Sequence, residues 1–424
     1  MSLAPRPQII VAQLGARMHY AVPALLHRAG MLRHFYTDAY VVPGSALDLL
    51  GGIVSWLPGK WQPGTLKRLL ARREDGIPPD HLTAFNYFGF SYAWALRRAR
   101  DAAARERVFL AYGRRFGDLV ARRDFRGADC LYAFQSAAVP LFQSARQCGM
   151  LSILEQFIAP TSLVYHLLSE EHRRWPGWEE PYPGREVWQP RMDLEQVEWD
   201  GADRIITPAE FVARGVASQG VPGEKIVVLP YGVDTSRFAV RRRPWDGRGP
   251  LRVLFAGGVS LRKGPQYLRQ ALEKLASGQI SARLVGPVTI REPYRRWLGE
   301  RMELTGQVAR QEMLRHYAWA DLLVLPSICE GSATVTYEAL AAGLPVITTP
   351  NAGSVVREGM EGFIVPIRDA DAIGERLEKL ARDPGLVQEM SHRAWQRAKE
   401  FSWEKYGQRL AEFLTSCYQQ HRHC

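Results

Sequence analysis

Cysteine is scarce in this sequence, and no group of residues has the spacing of a metal site. The five cysteines, Cys130, Cys148, Cys329, Cys417 and Cys424, are an odd number and lie far apart. Their separation argues against a disulfide framework and favours reduced thiols in a reducing compartment. The ten histidines likewise form no zinc motif, so we predict no metal site.

Long hydrophobic runs are also missing. No run of eighteen or more apolar residues occurs, and the first segment, MSLAPRPQIIVAQLG, has too short an apolar core for a signal peptide. We therefore expect a protein of the cytoplasm. The net charge of +11 is mixed with acids rather than blocked, so nucleic acid is only one candidate partner, beside anionic small molecules and anionic membrane surfaces.

The chain is too long for one ordinary core. Its 424 residues favour two domains of roughly 200 residues each. Hydrophobic residues make up 46% of the sequence and charged residues 23%, which is ordinary for a globular protein and supplies enough core material for both domains.

Two stretches repeat the same strand, glycine loop and helix. The first has an apolar strand at residues 8–14, Gly15, and an amphipathic segment at 20–29; the second has a strand at 251–255 followed by AGGVSLRKGPQYLRQAL. This order opens a doubly wound α/β unit, so we predict two such units. The charged Pro- and Gly-containing segment 239–250 is the predicted linker.

The most informative stretch, residues 321–349, reads DLLVLPSICEGSATVTYEALAAGLPVITT and predicts strand, loop, helix, strand. Its loop, 327–332, delivers a flexible backbone to the N-terminus of the helix. Unpaired N–H groups and the helix dipole favour an anion there, such as a phosphate. Two carboxylates, Glu330 and Glu338, frame this place.

The pattern P-S-x-x-E-G, followed by E-A-L-A-x-G-x-P-V, resembles the Glu-x7-Glu signature of the retaining nucleotide-sugar glycosyltransferases of family 4, which have the GT-B fold. The resemblance is strong from about Ala202 to Trp403 and weaker before. It implies an α/β protein with two Rossmann-like, doubly wound domains facing a central cleft. The implied domains are residues 1–238 for the acceptor and 251–400 for the nucleotide-sugar, with residues 401–424 as a helix returning to the first domain.

The resemblance also assigns residues to the donor. In this family the glutamate matching Glu338 holds the ribose hydroxyls, and the one matching Glu330 faces the transferred sugar. Arg262 and Lys263 match a basic loop that meets the diphosphate, so Glu330, Arg262 and Lys263 are the implied catalytic residues. The implied donor-binding residues are Gly15, Gly257, Gly258, Arg262, Lys263, Gln307, Val308, Glu330, Gly331, Ser332, Ala333, Thr334 and Glu338.

Three departures from the family pattern concern the loops. Many members have an arginine where this chain has Gly258, and two glycines where it has Gly15 and Ala16. Gln135 and Ser136 stand where many members have a histidine near the reaction centre. Gln135, Glu155 and Gln156 are then the candidate acceptor-binding residues, with local pairing of the last two equally open. The Trp- and Pro-rich segment 175–190 predicts a long loop beside the cleft.

A mixture of aromatic and basic residues in the first domain fits contact with a membrane surface. The mixed residues at 48–73 are Trp56, Lys60, Trp61, Lys67, Arg68, Arg72 and Arg73. Such a segment can lie at the head-group boundary, with its cations on anionic lipid. The segment also fits two ordinary helices packed on the first domain, which is the favoured interpretation, and segment 85–100 has the same two interpretations.

The resemblance thus implies a metal-independent retaining transfer from a UDP- or GDP-sugar to an acceptor hydroxyl, in surface polysaccharide or glycolipid synthesis. The expected partners are the nucleotide-sugar and a glycan, lipid-linked or small-molecule acceptor. No cofactor and no nucleic acid are expected. A nucleotide-sugar epimerase on the same fold, or a non-catalytic subunit that binds nucleotide-sugar or glycan, remain alternatives.

Overall fold

The computed structural model describes residues 6–45, 48–49, 72–74, 76–240 and 245–423. Within these residues the chain forms two parallel sheets with helices between successive strands, and one long terminal helix.

The first sheet has seven parallel strands in the order β3-β2-β1-β4-β5-β6-β7. They are β1 (Ile9–Gln13), β2 (Leu32–Thr37), β3 (Leu82–Ala84), β4 (Cys130–Phe134), β5 (Leu151–Glu155), β6 (Arg204–Thr207) and β7 (Ile226–Val228). Every residue of β1, β4 and β5 is buried, as expected for strands covered on both faces. The strand order reverses between β1 and β4, where Ile9 pairs with Cys130.

The described residues of this first unit include seven α-helices. They are α1 (Ala21–Arg28), α2 (Asn86–Arg98), α3 (Ala102–Ala121), α4 (Ala138–Gln147), α5 (Thr161–Arg174), α6 (Arg185–Gly201) and α7 (Glu210–Ala217). The prediction of a loop over residues 175–190 is wrong for its last six residues, because α6 begins at Arg185 and includes Pro190. Proline is tolerated there because Glu195, Glu198 and Trp199 of the same helix are buried in the domain.

The second sheet has six parallel strands in the order β10-β9-β8-β11-β12-β13. They are β8 (Leu251–Ala256), β9 (Ile280–Val285), β10 (Met302–Gly306), β11 (Leu322–Leu325), β12 (Val346–Thr348) and β13 (Gly362–Ile364). Its helices are α8 (Pro265–Glu273), α9 (Tyr294–Gly299), α10 (Met313–Trp319), α11 (Thr334–Ala341), α12 (Ala370–Arg382) and α13 (Pro384–Glu400). The order reverses between β8 and β11, so this sheet repeats the arrangement of the first.

The last helix, α14 (Trp403–His423), returns to the first sheet. The Tyr418 hydroxyl donates to Asp129 at 2.6 Å, and Arg204 donates to Gln420 at 3.2 Å. The predicted fold, two Rossmann-like units and a returning helix, is confirmed. The domain limits at residues 238, 250 and 400 stay predictions.

A second connection ties the two units together. We call residues 175–184, between α5 and α6, the strap. The ring of Trp178, 0% exposed, stacks on Tyr294 of α9 with centroids 4.9 Å apart, and its carbonyl accepts the Arg291 N–H at 2.7 Å. Just before the strap, the buried carboxylate of Glu171 accepts from Tyr267 at 2.8 Å and pairs with Arg368. The first unit is therefore fastened to the second by buried aromatic and ionic contacts.

Most of the predicted membrane element lies outside the described residues, including Trp56, Lys60, Trp61, Lys67 and Arg68. Arg72 is described and forms an ion pair with the buried Asp38 at 2.7 Å, so it is not a free surface cation. Arg73 lies 3.7 Å from Asp48. Among the helices of the described ranges, none has an apolar stretch of the length needed to span a bilayer.

Candidate functional site

A cavity of about 280 Å³ lies where the two sheets face each other. In open parallel sheets, ligands bind outside the carboxyl ends of the strands at the point where the strand order reverses. The loop after β1 lines the cavity from the first unit, and the start of α11 lines it from the second. Its lining residues are Arg17, Met18, His19, Phe157, Tyr231, Gly232, Val233, Asp234, Phe238, Arg310, Thr334, Glu338 and Trp403.

Glu338 faces this cavity from α11 and is held by one neighbour. The Tyr317 hydroxyl donates to its Oε2 atom at 2.7 Å, and the Tyr317 ring meets Phe238 edge to face. Burial raises the pKa of Glu338, while Tyr317, Arg310 and Arg237 oppose that rise. The carboxylate is thus oriented, and Oε1 accepts no hydrogen bond from the described part of the chain.

The other predicted carboxylate, Glu330, lies beside the two predicted cations, Arg262 and Lys263. Its Oε1 atom lies 2.8 Å from the Lys263 ammonium and 3.6 Å from the Arg262 guanidinium. The loops that carry them are joined as well, since the Ile328 N–H donates to the Arg262 carbonyl at 2.8 Å. The pKa of Lys263 is lowered because the ammonium is buried, although the neighbouring Glu330 carboxylate opposes this shift. The three residues proposed as catalytic therefore form one cluster beside the N-terminus of α11.

The predicted donor loop makes a close approach to the first unit at Gly331. A Cβ atom added there would lie 1.8 Å from the carbonyl oxygen of Phe157. Ser332 donates to the Gly353 carbonyl at 2.9 Å, and Ala333 is buried just ahead of Thr334, which is exposed and lines the cavity. Only glycine fits at residue 331 while the two units are in contact.

The remaining predicted donor residues lie at the rims of the two sheets. Gly257 and Gly258 follow β8, and Gln307 and Val308 follow β10. Gln307 is exposed and Val308 is partly buried. The Gly15 N–H donates to Asp38 at 2.8 Å, which engages it within the protein. Their contacts with a donor stay predictions.

The loop after β1 also contains residues that the sequence analysis did not single out. Met18, His19 and Tyr20 have φ angles of 45°, 52° and 63°, a left-handed run without glycine. Burial, with Arg310 and Arg237 nearby, lowers the pKa of His19 to about 4. Arg17 lies over the Phe157 ring at 3.5 Å. The resemblance covers this loop weakly, and the available signal is an arginine four residues after the end of the first strand.

The three candidate acceptor residues are buried. Both oxygens of Glu155 accept from tyrosines, Tyr132 and Tyr231, and burial raises its pKa to about 7. The side chain of Gln156 donates to the Ile158 carbonyl at 3.0 Å and accepts from Trp199 at 3.0 Å. These contacts favour local pairing, the alternative left open above, and acceptor binding by Glu155 and Gln156 stays a prediction.

Gln135 belongs to a buried carboxylate group. Its amide lies 3.4 Å from Glu195, and its Oε1 atom has no partner in the described part of the chain. Glu195 accepts from Thr161 twice at 2.8 Å, and Glu198 accepts the N–H groups of Ser136 and Ala138. Two carboxylates thus hold the loop where family members have a histidine.

Two family models match the chain. The model described as Glycosyltransferase Family 4 matches residues 136–237, and the model described as Glycosyl transferases group 1 matches residues 250–383. The two matches lie on either side of the predicted linker, one in each unit.

Curated relatives agree with these models. A D-inositol 3-phosphate glycosyltransferase of Streptomyces bingchenggensis is 29% identical over 251 residues, which are 52% of this chain and 54% of the relative. A GDP-mannose-dependent alpha-(1-6)-phosphatidylinositol monomannoside mannosyltransferase of Mycobacterium tuberculosis is 30% identical over 241 residues, 51% of this chain and 62% of the relative. The matches therefore span only part of the length of these relatives.

Solved structures show the same fold over nearly the whole chain. Sucrose-phosphate synthase from Thermosynechococcus elongatus has a TM-score of 0.62 at 16% identity, covering 98% of this chain and 100% of that one. Anabaena HepE in complex with UDP-glucose has a TM-score of 0.59 at 14% identity, and the match covers 97% of this chain and 100% of the HepE chain. With a family model matched in each unit and the GT-B architecture throughout, the chain belongs to the family 4 glycosyltransferases.

Proposed function

We propose that the protein transfers a sugar from a UDP- or GDP-sugar to an acceptor hydroxyl, with retention of configuration. The observation that carries this proposal is the position of Glu338, whose oriented carboxylate lies in a cavity between the units. Glu338 is one helical turn after Thr334, which begins α11. A ribose diol can donate two hydrogen bonds to one carboxylate. Phosphates bound at the helix N-terminus would then lie directly beside it.

The cluster of Glu330, Arg262 and Lys263 supplies the proposed chemistry. The two cations would stabilise the charge that grows on the leaving nucleoside diphosphate, so the proposed reaction requires no metal ion and no cofactor. Glu330 would face the sugar while it holds Lys263 in place at 2.8 Å. As in the family, the leaving phosphate would accept the proton of the incoming hydroxyl on the same face of the sugar.

The proposed acceptor is a glycan, a lipid-linked sugar or a small molecule, within surface polysaccharide or glycolipid synthesis. Support comes from relatives named for glycolipid and polysaccharide products, among them a putative colanic acid biosynthesis glycosyltransferase of Salmonella typhimurium, 29% identical over 233 residues. The acceptor would enter from the carboxyl ends of β1 and β4.

Radiolabelled UDP- and GDP-sugars test the proposal. A family 4 transferase should bind one of them and slowly release free sugar when no acceptor is present. Conversion to an isomeric nucleotide-sugar would instead identify an epimerase, and binding without any turnover would identify a non-catalytic subunit. Either result would contradict the proposed transfer.

We also propose that the first domain contacts an anionic membrane surface from the cytoplasmic side. Support comes from two aromatic residues of α2, Tyr87 and Trp94, which lie two turns apart and are 90% and 60% exposed. The Arg98 guanidinium lies over the Trp94 ring, 4.4 Å from its centroid. Aromatic rings with neighbouring arginines suit the head-group boundary. Anionic vesicles should sediment the protein at low salt and release it at high salt, and Trp94→Ala should weaken this binding. Equal sedimentation with neutral vesicles would contradict the contact.

A further inference from the structure

Arg17 is a cation in the interdomain cavity that forms no ion pair with any carboxylate of the described residues. Its guanidinium lies 3.5 Å from the centroid of the Phe157 ring and lines the cavity. Glu155 is close enough to influence it, but both Glu155 oxygens already accept hydrogen bonds from tyrosines. Because a partly buried cation without a counter-charge is costly, and the described residues supply none, its position favours a bound anion.

The loop that carries Arg17 is built at a cost in backbone energy. Left-handed φ angles at Met18, His19 and Tyr20 each cost of order 1 kcal/mol outside glycine. The loop is held by the Gln13 amide, which donates to the Gly15 carbonyl at 2.8 Å and to the Arg17 carbonyl at 3.0 Å. Strain that is held in this way clusters at ligand sites.

The opposite wall of the cavity also favours an anion. Thr334 begins the eight-residue helix α11, and the residue before it, Ala333, provides no side-chain cap. The Thr336 N–H donates to the Ala333 carbonyl at 2.9 Å, but the N–H groups of Thr334 and Val335 have no backbone acceptor among the described residues and are available to a ligand. Arg17 on one wall and this helix start on the other belong to the same cavity.

We propose that Arg17 binds a phosphate group of the nucleotide-sugar from the first domain's side of the cleft, opposite the N-terminus of α11. This inference rests on the proposed function, which puts the ribose at Glu338 and the diphosphate beside Thr334. Arg262 and Lys263 both lie near Glu330, so part of their charge is balanced within the protein. Arg17 has no such partner among the described residues, and it would join the two domains through the bound donor.

The test compares nucleoside diphosphates with nucleosides. Arg17→Met in the full chain keeps an apolar side chain over Phe157 but removes the charge. Calorimetry with UDP and GDP should show a loss of affinity of roughly ten- to a hundred-fold, the range for a charged hydrogen bond. Binding of uridine or guanosine should not change, and Arg17→Lys should retain more diphosphate affinity than Arg17→Met.

Other outcomes overturn the inference in distinguishable ways. Diphosphate affinity and transfer rate that are both unchanged in Arg17→Met, or an equal loss of affinity for nucleoside and diphosphate, would show that Arg17 only packs. Slower transfer with unchanged diphosphate affinity would assign Arg17 to the acceptor instead. A wild-type protein that binds neither UDP nor GDP would overturn the proposed function, and this inference with it. Arg126→Met, at an arginine that is 91% exposed, controls for the loss of an arginine elsewhere.

Discussion

Glu338 depends on Tyr317 for its orientation. Tyr317 is fully buried, and its hydroxyl donates to Oε2 of Glu338 at 2.7 Å, while Glu338 lines the cavity and its Oε1 atom accepts no hydrogen bond from the described residues. A carboxylate fixed on one edge loses less conformational entropy when a ligand binds the other. The tyrosine therefore prepares the proposed ribose site without touching the ribose.

Replacement of Glu338 tests this directly. Glu338→Ala should weaken binding of the free nucleoside diphosphate and of the nucleotide-sugar together, by about 1.5 to 3 kcal/mol, since charged hydrogen bonds are lost in both complexes. Tyr317→Phe should cost less, about 0.5 to 1.5 kcal/mol, because only the orientation is lost. Calorimetry measures both, with Glu375→Ala on the exposed side of α12 as a control. Unchanged diphosphate affinity in Glu338→Ala would remove this residue from the site.

The sequence located carboxylates and cations of the cluster better than it located buried polar residues. The resemblance to family 4 singles out Glu330, Arg262 and Lys263, and the structure brings them together because each lies in a loop that follows a strand, and such loops meet where the strand order reverses. Glu155 and Gln156 are also polar residues near a strand end, yet their tyrosine and tryptophan partners come from other elements. Sequence spacing along one segment holds no information about those partners.

At the scale of elements, the loop before α11 is limited by its contact with the first domain. Gly331→Ala would add a Cβ atom 1.8 Å from the Phe157 carbonyl oxygen, and neither backbone can move freely. We expect a loss of about 1 to 3 kcal/mol in the free energy of unfolding, as for other overpacked sites. Donor turnover should fall at least about tenfold, because Glu330 would shift with the loop.

Urea denaturation and donor turnover measure the two effects of Gly331→Ala. Gly223→Ala is the matched control, since an added Cβ there meets nothing within 4 Å. If Gly331→Ala kept the stability and turnover of the control, the two loops would not be in contact in solution.

Strand positions could be predicted closely, and one helix could not. The predicted strand at residues 8–14 is β1 at Ile9–Gln13, and the helix predicted to follow the loop 327–332 is α11 at Thr334–Ala341. Buried parallel strands are short apolar runs bounded by glycine or proline, so their limits show in the sequence. The start of helix α6 could not be predicted, because Pro190 locally disfavours a helix. The contacts that outweigh this preference come from residues distant in sequence, such as the Ser136 N–H that donates to Glu198 at 2.8 Å.

At the scale of the molecule, the buried carboxylates of α6 should make stability depend on pH. Burial raises the pKa of Glu195 to about 7 and that of Glu198 to about 8, although N–H donors oppose the rise. The unfolded chain releases these protons near pH 4.5, so above that pH the folded state binds more protons than the unfolded state. Their contribution to stability is complete below pH 4.5 and is lost as the pH rises toward 8.

The free energy of unfolding should therefore fall between pH 5 and pH 8 by a few kcal/mol, at about 1.4 kcal/mol for each unit of pKa. Urea titrations at several pH values measure it. Glu198→Gln should flatten the profile, since the amide oxygen can still accept the Ser136 and Ala138 N–H groups. Glu186→Gln, at an exposed glutamate of the same helix, should leave the slope unchanged. A profile of Glu198→Gln as steep as that of the wild type would contradict this origin.

The strap limits how the two halves can be exchanged between related proteins. Trp178 is carried by the first domain in sequence but is buried against Tyr294 and Trp297 of the second. A chimera joined at residues 239–250 would place this tryptophan against a foreign surface and leave the aromatic rings of α9 uncovered. A chimera that takes its donor-binding domain from one parent and its acceptor-binding domain from another would need residues 175–184 from the same parent as the second domain.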